Sequence, residues 1–303
     1  EWDWKSTSSS DEAIGHSFAF SVIAELVDVP DLKNKAIELI DTLMSHTLKN
    51  NYYLIDWDGQ PTRWARWNPE YVNARPEMVG DRKINASNYI GMLQTAYHFT
   101  KKEKYREAAF KLMDEHGYFT NMMRPMSQIG RAPETADELS RELSDGWNHS
   151  DDEMYFLGYW GLYRYAFNDT LKAHYKNQII DHWQAERPEK EGLWNIMTGL
   201  VGNEDYDYEN AAWYLRKYPL DLVDWTVQNS HRKDIEMMEP NFRNQTIKEV
   251  LPPGELRISR HNANRFSLDS HGGGRSEESA GDIWLLPYWI GRYLNVIGEP
   301  ESK

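Results

Sequence analysis

Asp11-Glu12-Ala13-Ile14-Gly15-His16-Ser17-Phe18-Ala19-Phe20 opens a run that stays apolar almost all round as far as Leu26, the pattern of a helix buried on several sides. The run after it has one apolar face. Over residues 32–48, Ala36, Leu39, Ile40, Leu43 and Met44 recur every three or four positions, and Lys33, Lys35, Glu38 and Asp41 take the opposite side, which predicts an outer, half-exposed helix. Pro30-Asp31 marks the turn between them. The same order of inner helix, polar turn and outer helix returns over 85–97 with 104–116, and over 152–165 with 171–183. The period is about 70 residues, and self-similarity at a fixed period is the mark of a repeat architecture.

Further along, a shorter helix pair is expected at 210–218 and 221–228, and an aromatic-rich inner helix at 282–297. Three long connections separate the pairs, at 53–82, 121–148 and 232–278, and they carry many Trp, Arg, His and Gly residues. Connections of that length in a helical domain are commonly functional. The expected fold is therefore all-α: an α/α toroid, incomplete or small, of repeated helical hairpins with long site-forming loops. It is read as a single domain over 1–303.

Composition narrows the function classes. With 40% hydrophobic and 13% aromatic residues the chain can bury a sizeable core. Its net charge of −14 opposes nucleic acid or an anionic membrane surface as a general partner. No apolar stretch approaches the roughly 20 residues of a membrane span, and Glu1-Trp2-Asp3-Trp4 lacks a signal pattern. The absence of Cys excludes disulfides, thiolate catalysis and Cys-ligated metals. Oligomeric state is not legible from these quantities.

Chemistry concentrates where inner helices begin. Ser9-Ser10-Asp11-Glu12 and Ser150-Asp151-Asp152-Glu153 open the first and third units, setting Asp11 against Asp152 and Glu12 against Glu153 at an interval of 141 residues. Ser and Asp are favoured N-caps, and carboxylates suit a helix's first turn. A Ser-Asp-Glu start therefore has a purely structural explanation. His16 after the first start, and Trp147-Asn148-His149 before the second, are not needed for capping. A carboxylate pair across a cleft, one protonated and one ionised, is what glycosidic hydrolysis requires. Asp11, Glu12, Asp152 and Glu153 are thus the candidate acid/base residues, with His16 and His149 orienting them.

The segment 55–69 holds Asp56, Asp58, Arg63, Arg66 and three Trp, at 57, 64 and 67. Aromatic faces stack on pyranose rings, and Arg grips a uronic carboxylate with paired hydrogen bonds. The structural alternative is stacking of Arg63 and Arg66 on their Trp neighbours. Asp56-x-Asp58-Gly59 lacks the closing Glu of a calcium loop, so no metal or other cofactor is assigned. A third concentration, His271-Gly272-Gly273-Gly274-Arg275, lacks the Lys-Ser/Thr of a phosphate loop. Trp57, Arg63, Trp64, Arg66, Trp147, His271 and Arg275 form the candidate substrate-binding set.

The hairpin repeat, the Ser-Asp-Glu helix starts, Asp58 through Trp67 (Asp-Gly-x-Pro-Thr-Arg-Trp-x-Arg-Trp) and Leu285-Leu286-Pro287-Tyr288-Trp289-Ile290-Gly291-Arg292-Tyr293 resemble a group of bacterial secreted proteins. That group is similar in turn to the α/α-barrel carbohydrate-active enzymes, the six-hairpin glycosidases and related polysaccharide lyases. The resemblance covers most of the chain. It implies a toroidal helical fold, an oligo- or polysaccharide substrate and a periplasmic or secreted location. The expected activity is that of a glycoside hydrolase, with β-elimination by a lyase and non-catalytic glycan binding as the alternatives.

Overall fold

The computed structural model describes residues 7–223, 225–256, 263–269 and 281–300. The chain is mostly helical, with twelve α-helices among the described residues and one small two-stranded sheet. It divides into two compact units. One comprises Glu1–Ile129 with Met154–Gln178, and the other Gly130–Glu153 with Ile179–Lys303.

In the first unit, α1 (Ser10–Leu26) begins with a capping box. Ser9 accepts from the Glu12 backbone N–H, and Glu12 reaches back to the Ser9 N–H at 2.9 Å, which satisfies two otherwise orphaned donors. α2 (Pro30–Lys49) buries Ala36, Ile40, Met44 and Thr47, one face at helical spacing. The inner helix α4 (Val79–Thr100) is buried continuously from Lys83 to Ala96. Even Lys83 lies inside, where its ammonium donates to the carbonyls of Met122 and Arg124 at 2.8 and 2.7 Å. Lys101, in the left-handed conformation at φ 57°, turns the chain into α5 (Glu103–Glu115).

Residues 53–82, expected as a long loop, contain an antiparallel hairpin, β1 (Tyr53–Ile55) and β2 (Pro61–Arg66), paired through Tyr53 with Arg66 and Ile55 with Pro61. The short α3 (Pro69–Val72) follows, and α6 (Tyr118–Met122) comes after α5. Trp67 is fully buried and stacks on Tyr89 of α4 at 5.1 Å, so the hairpin is anchored by an aromatic pair.

Two of the three chain boundaries between the units fall inside α8 (Ser150–Arg164) and α9 (Asp169–Glu186), and the third follows Ile129. The helices α1, α4 and α8 begin at 10, 79 and 150, which is the period read from the sequence.

The second unit holds α7 (Glu138–Leu143), α10 (Gly192–Leu200), α11 (Tyr208–Lys217) and α12 (Asp282–Tyr293). α10 does not correspond to any expected helix. Its N-cap is Glu191, whose carboxylate accepts from the Leu193 N–H at 2.9 Å. Residues 221–228, expected as a helix, are not helical where they are described. Asp221 accepts from the Val223 N–H at 3.1 Å and Leu222 takes φ 59°, so an Asp side chain closing a turn on its own backbone displaces the helical pattern. Two apolar clusters organise this unit, one around Tyr214, Tyr218 and Ile283, the other around Ile247, Val250, Leu256 and Phe266.

Candidate functional site

A close group of buried polar side chains lies within the second unit. His149 and Asp152 come from the start of α8, His182 and Glu186 from the last turns of α9, Glu189 from the turn after it, and Arg243 from the irregular segment further on. His182 and Glu186 have no exposed surface, Glu189 and Asp152 are 1% and 2% exposed, and His149 is 9% exposed.

Local structure explains how each side chain arrives. Counted from the first helical residue, Asp11 of α1 corresponds to Asp151 of α8, and Glu12 to Asp152, one position from the register taken from the sequence. Glu12 is long enough to fold back onto its own N-cap. Asp152, one methylene shorter, engages other segments. Its Oδ2 accepts from the Trp147 indole N–H at 3.2 Å, and its Oδ1 lies 3.4 Å from His182 Nε2. His182 and Glu186 stand four residues apart, on one face of α9, with Nε2 to Oε1 at 3.8 Å.

Arg243 ties the carboxylates together. Its guanidinium grips both oxygens of Glu186, donates to Glu189 Oε1 at 3.1 Å, and lies 4.1 Å above the Trp147 ring. Glu189 also accepts from the Trp194 indole N–H at 2.9 Å. His149 donates from Nε2 to the Arg243 carbonyl at 3.1 Å, and its Nδ1 stands 3.6 Å from Glu189 Oε1 and 3.9 Å from Asp152 Oδ2.

Three buried carboxyl groups so close together cannot all ionise freely. Burial pushes Asp152 up to about 7, with the charge of Glu189 adding to it and Arg243, His149 and Trp147 opposing it. Burial and the charges of Asp152 and Glu189 push Glu186 up as well, against Arg243. Glu189 goes down: burial raises it, but His149, Arg243 and Trp194 favour its ionised form more. The trio titrates as one system. A guanidinium gripping both oxygens of Glu186 is the geometry of an ionised carboxylate, so the shared proton belongs on Asp152. Two sets, His149 with Asp152 and Glu189, and Asp152 with His182 and Glu186, bring their ligand atoms within 4.8 Å of one another, the spacing that a metal ion could bridge.

Of the residues expected from the sequence, the structure brings His149, Asp152 and Trp147 together. Glu153, half-buried, follows Asp152 about 100° further round α8. Asp11, Glu12 and His16 belong to the first unit. There Glu12 serves the capping box, Asp11 is exposed, and the exposed His16 stacks on Phe20 at 5.4 Å. Trp57, Arg63, Trp64 and Arg66 also belong to the first unit, on the hairpin. Trp57 is 70% exposed, Arg63 lies over Trp64 at 4.5 Å, and Arg66 lies over Tyr71 at 5.5 Å rather than over a Trp. His271 and Arg275 lie outside the described residues.

Sequence reasoning missed His182, Glu186, Glu189 and Arg243. The first two carried a signal: a His and a Glu four residues apart on a helix face that also holds Tyr175, Ile179 and Trp183. Glu189 and Arg243 carried none, since neither lies in a periodic element. Comparison of the chain with protein-family models, curated proteins and solved structures finds no match.

Proposed function

We propose that this chain is a carbohydrate-active enzyme, a glycoside hydrolase built on an α/α-hairpin toroid, and that its reacting centre is the group His149, Asp152, His182, Glu186, Glu189 and Arg243. The observation that carries this reading is the convergence of three carboxyl groups, two imidazoles and one guanidinium within one unit, beside the half-buried face of Trp147. Cleavage of a glycosidic bond needs a carboxyl group to protonate the leaving oxygen and a carboxylate to assist attack on the anomeric carbon. The cluster contains both kinds, in environments that hold their proton affinities apart. Trp147, half-buried at the edge of the cluster, suits the apolar face of a sugar ring. The order of inner and outer helices supports the toroidal part of the proposal.

A second reading has its own observation. Trp57 and Trp64, 70% and 45% exposed beside Arg63, form the kind of surface that binds glycans without cleaving them.

One assay separates these readings. The purified protein is incubated with neutral and uronic oligosaccharides, and reducing ends are followed together with the ultraviolet absorbance of an unsaturated uronide. New reducing ends without absorbance, abolished in Asp152→Asn, are expected. Absorbance rising with the reducing ends would replace hydrolysis by elimination. Silence on both channels together with retained binding would leave the glycan-binding reading in its place.

A further inference from the structure

His149 presents an imbalance that the surrounding side chains do not resolve. A carbonyl oxygen can only accept, so the 3.1 Å contact to the Arg243 carbonyl places the ring hydrogen on Nε2. In the neutral ring the lone pair is then on Nδ1. That atom is buried without a hydrogen-bond partner, and it points at Glu189 Oε1 and Asp152 Oδ2, 3.6 and 3.9 Å away. A lone pair facing the ionised Glu189 is repulsive, whereas a proton on Nδ1 would favour it. Protonating Nδ1 would supply a donor, yet both oxygens lie beyond hydrogen-bond reach. The charges are unbalanced in the same sense. Asp152, Glu186 and Glu189 outnumber the guanidinium of Arg243 that grips two of them.

We propose that His149 Nδ1, Asp152 Oδ2 and Glu189 Oε1 form a binding site for one divalent first-row metal ion, with Zn2+ the best fit. Ligand atoms about 2.0–2.2 Å from a tetrahedral zinc stand roughly 3.3–3.6 Å from one another. The observed 3.6 and 3.9 Å separations need a contraction of a few tenths of an ångström. One nitrogen and two carboxylate oxygens suit zinc and leave a fourth position open. The surrounding hydrogen bonds are those that orient metal ligands: the His149 Nε2–H on a backbone carbonyl, the Trp194 indole on the other oxygen of Glu189, and the Trp147 indole on Asp152. The set built on His182 and Glu186 is the weaker candidate, because Arg243 occupies both oxygens of Glu186, whereas at the proposed site it reaches only Glu189 Oε1, at 3.1 Å, a contact that the ion would share or displace. Metal ligation takes Asp152 as a carboxylate, so an occupied site would leave it no proton to donate to a glycosidic oxygen, and metal binding is tested separately from turnover.

The test is a titration of chelator-treated, full-length protein with Zn2+, followed by calorimetry and by elemental analysis after dialysis. One ion per chain is expected, with affinity in His149→Gln and in Glu189→Gln reduced by more than the roughly tenfold to hundredfold that loss of an outer-shell partner costs and unchanged in His16→Ala. No stoichiometric uptake by the wild type, or equal affinity in a folded His149→Gln, would overturn the proposal. Where the variants do not fold, X-ray absorption of the Zn2+-loaded wild type decides. A first shell with one imidazole nitrogen among oxygens supports the site, and a shell with no imidazole or with two overturns it.

Discussion

His149 and Arg243 hold each other from both ends: the imidazole Nε2 donates to the Arg243 carbonyl at 3.1 Å, while the Arg243 side chain reaches past it to Glu186 and Glu189. The pair fixes the histidine's tautomer and clamps two buried carboxylates in one stroke. Residues 94 positions apart thereby become a single polar unit.

Removing the guanidinium leaves Glu186 buried without its cation. Arg243→Met is expected to cost about 3–5 kcal/mol of stability, the penalty for breaking a buried ion pair from one side. Urea unfolding of the wild type and the variant measures this. A loss under 1 kcal/mol would mean that the carboxylates are already neutral in the folded protein.

Asp152 and Glu12 occupy matching helix positions and should respond oppositely to amide substitution. Asp152→Asn retains an acceptor for the Trp147 indole but removes the ionisable group, so turnover on any oligosaccharide found to be a substrate should fall by at least about a hundredfold. Glu12→Gln keeps a capping side chain and should leave turnover within about twofold. Loss of turnover in Glu12→Gln with its fold intact would draw α1 into the reacting centre.

Close approach of helices in the first unit depends on glycine. A Cβ at Gly161 would stand 2.4 Å from Thr95 Oγ1 and 3.0 Å from the Gly91 carbonyl oxygen, and Thr95 is itself committed to that carbonyl at 2.8 Å. Gly161→Ala is expected to lose about 1–3 kcal/mol through overpacking. Gly15, on α1, has nothing within 4 Å of its Cβ position, so Gly15→Ala should gain up to about 1 kcal/mol from helix propensity alone. Thermal unfolding of the two variants compares them directly.

Asp41 gives the first unit an acid-sensitive contact. Burial raises its pKa, but hydrogen bonds from Lys102 at 2.7 Å and Tyr105 at 2.6 Å outweigh that, so the carboxyl lies below its ordinary value. The folded state therefore binds this proton less readily than the unfolded one. The contribution is fully present above the unfolded pKa of about 3.9 and is lost as pH falls through the lower folded value. Because the pair is partly exposed, its worth at neutral pH is about 1 kcal/mol or less. The stability difference between the wild type and Asp41→Asn, measured by denaturant titration, should shrink as pH is lowered from 6 towards 3.

The sequence alone determined the helical hairpins, because apolar periodicity is a local property. The unbroken burial of α4 and the one-sided stripe of α2 follow from which residues recur at three and four positions. It also determined where α1 and α8 begin, since a helix N-terminus is specified by side chains within four residues of it. What it could not separate is a carboxylate that caps from one that reaches into the interior. Glu12 and Asp152 sit in the same kind of helix start, and only the arrival of His182, Trp147 and Arg243 around Asp152 distinguishes them. Those partners lie 30, 5 and 91 positions away, and Arg243 belongs to a stretch without periodicity. The hairpin at 53–66 and the turn at Asp221 were hidden for a related reason: backbone pairing and side-chain turns compete with helical patterns through hydrogen bonds that composition does not reveal. Tertiary structure decided the polar centre because burying charge is tolerated only where partners from separate segments converge.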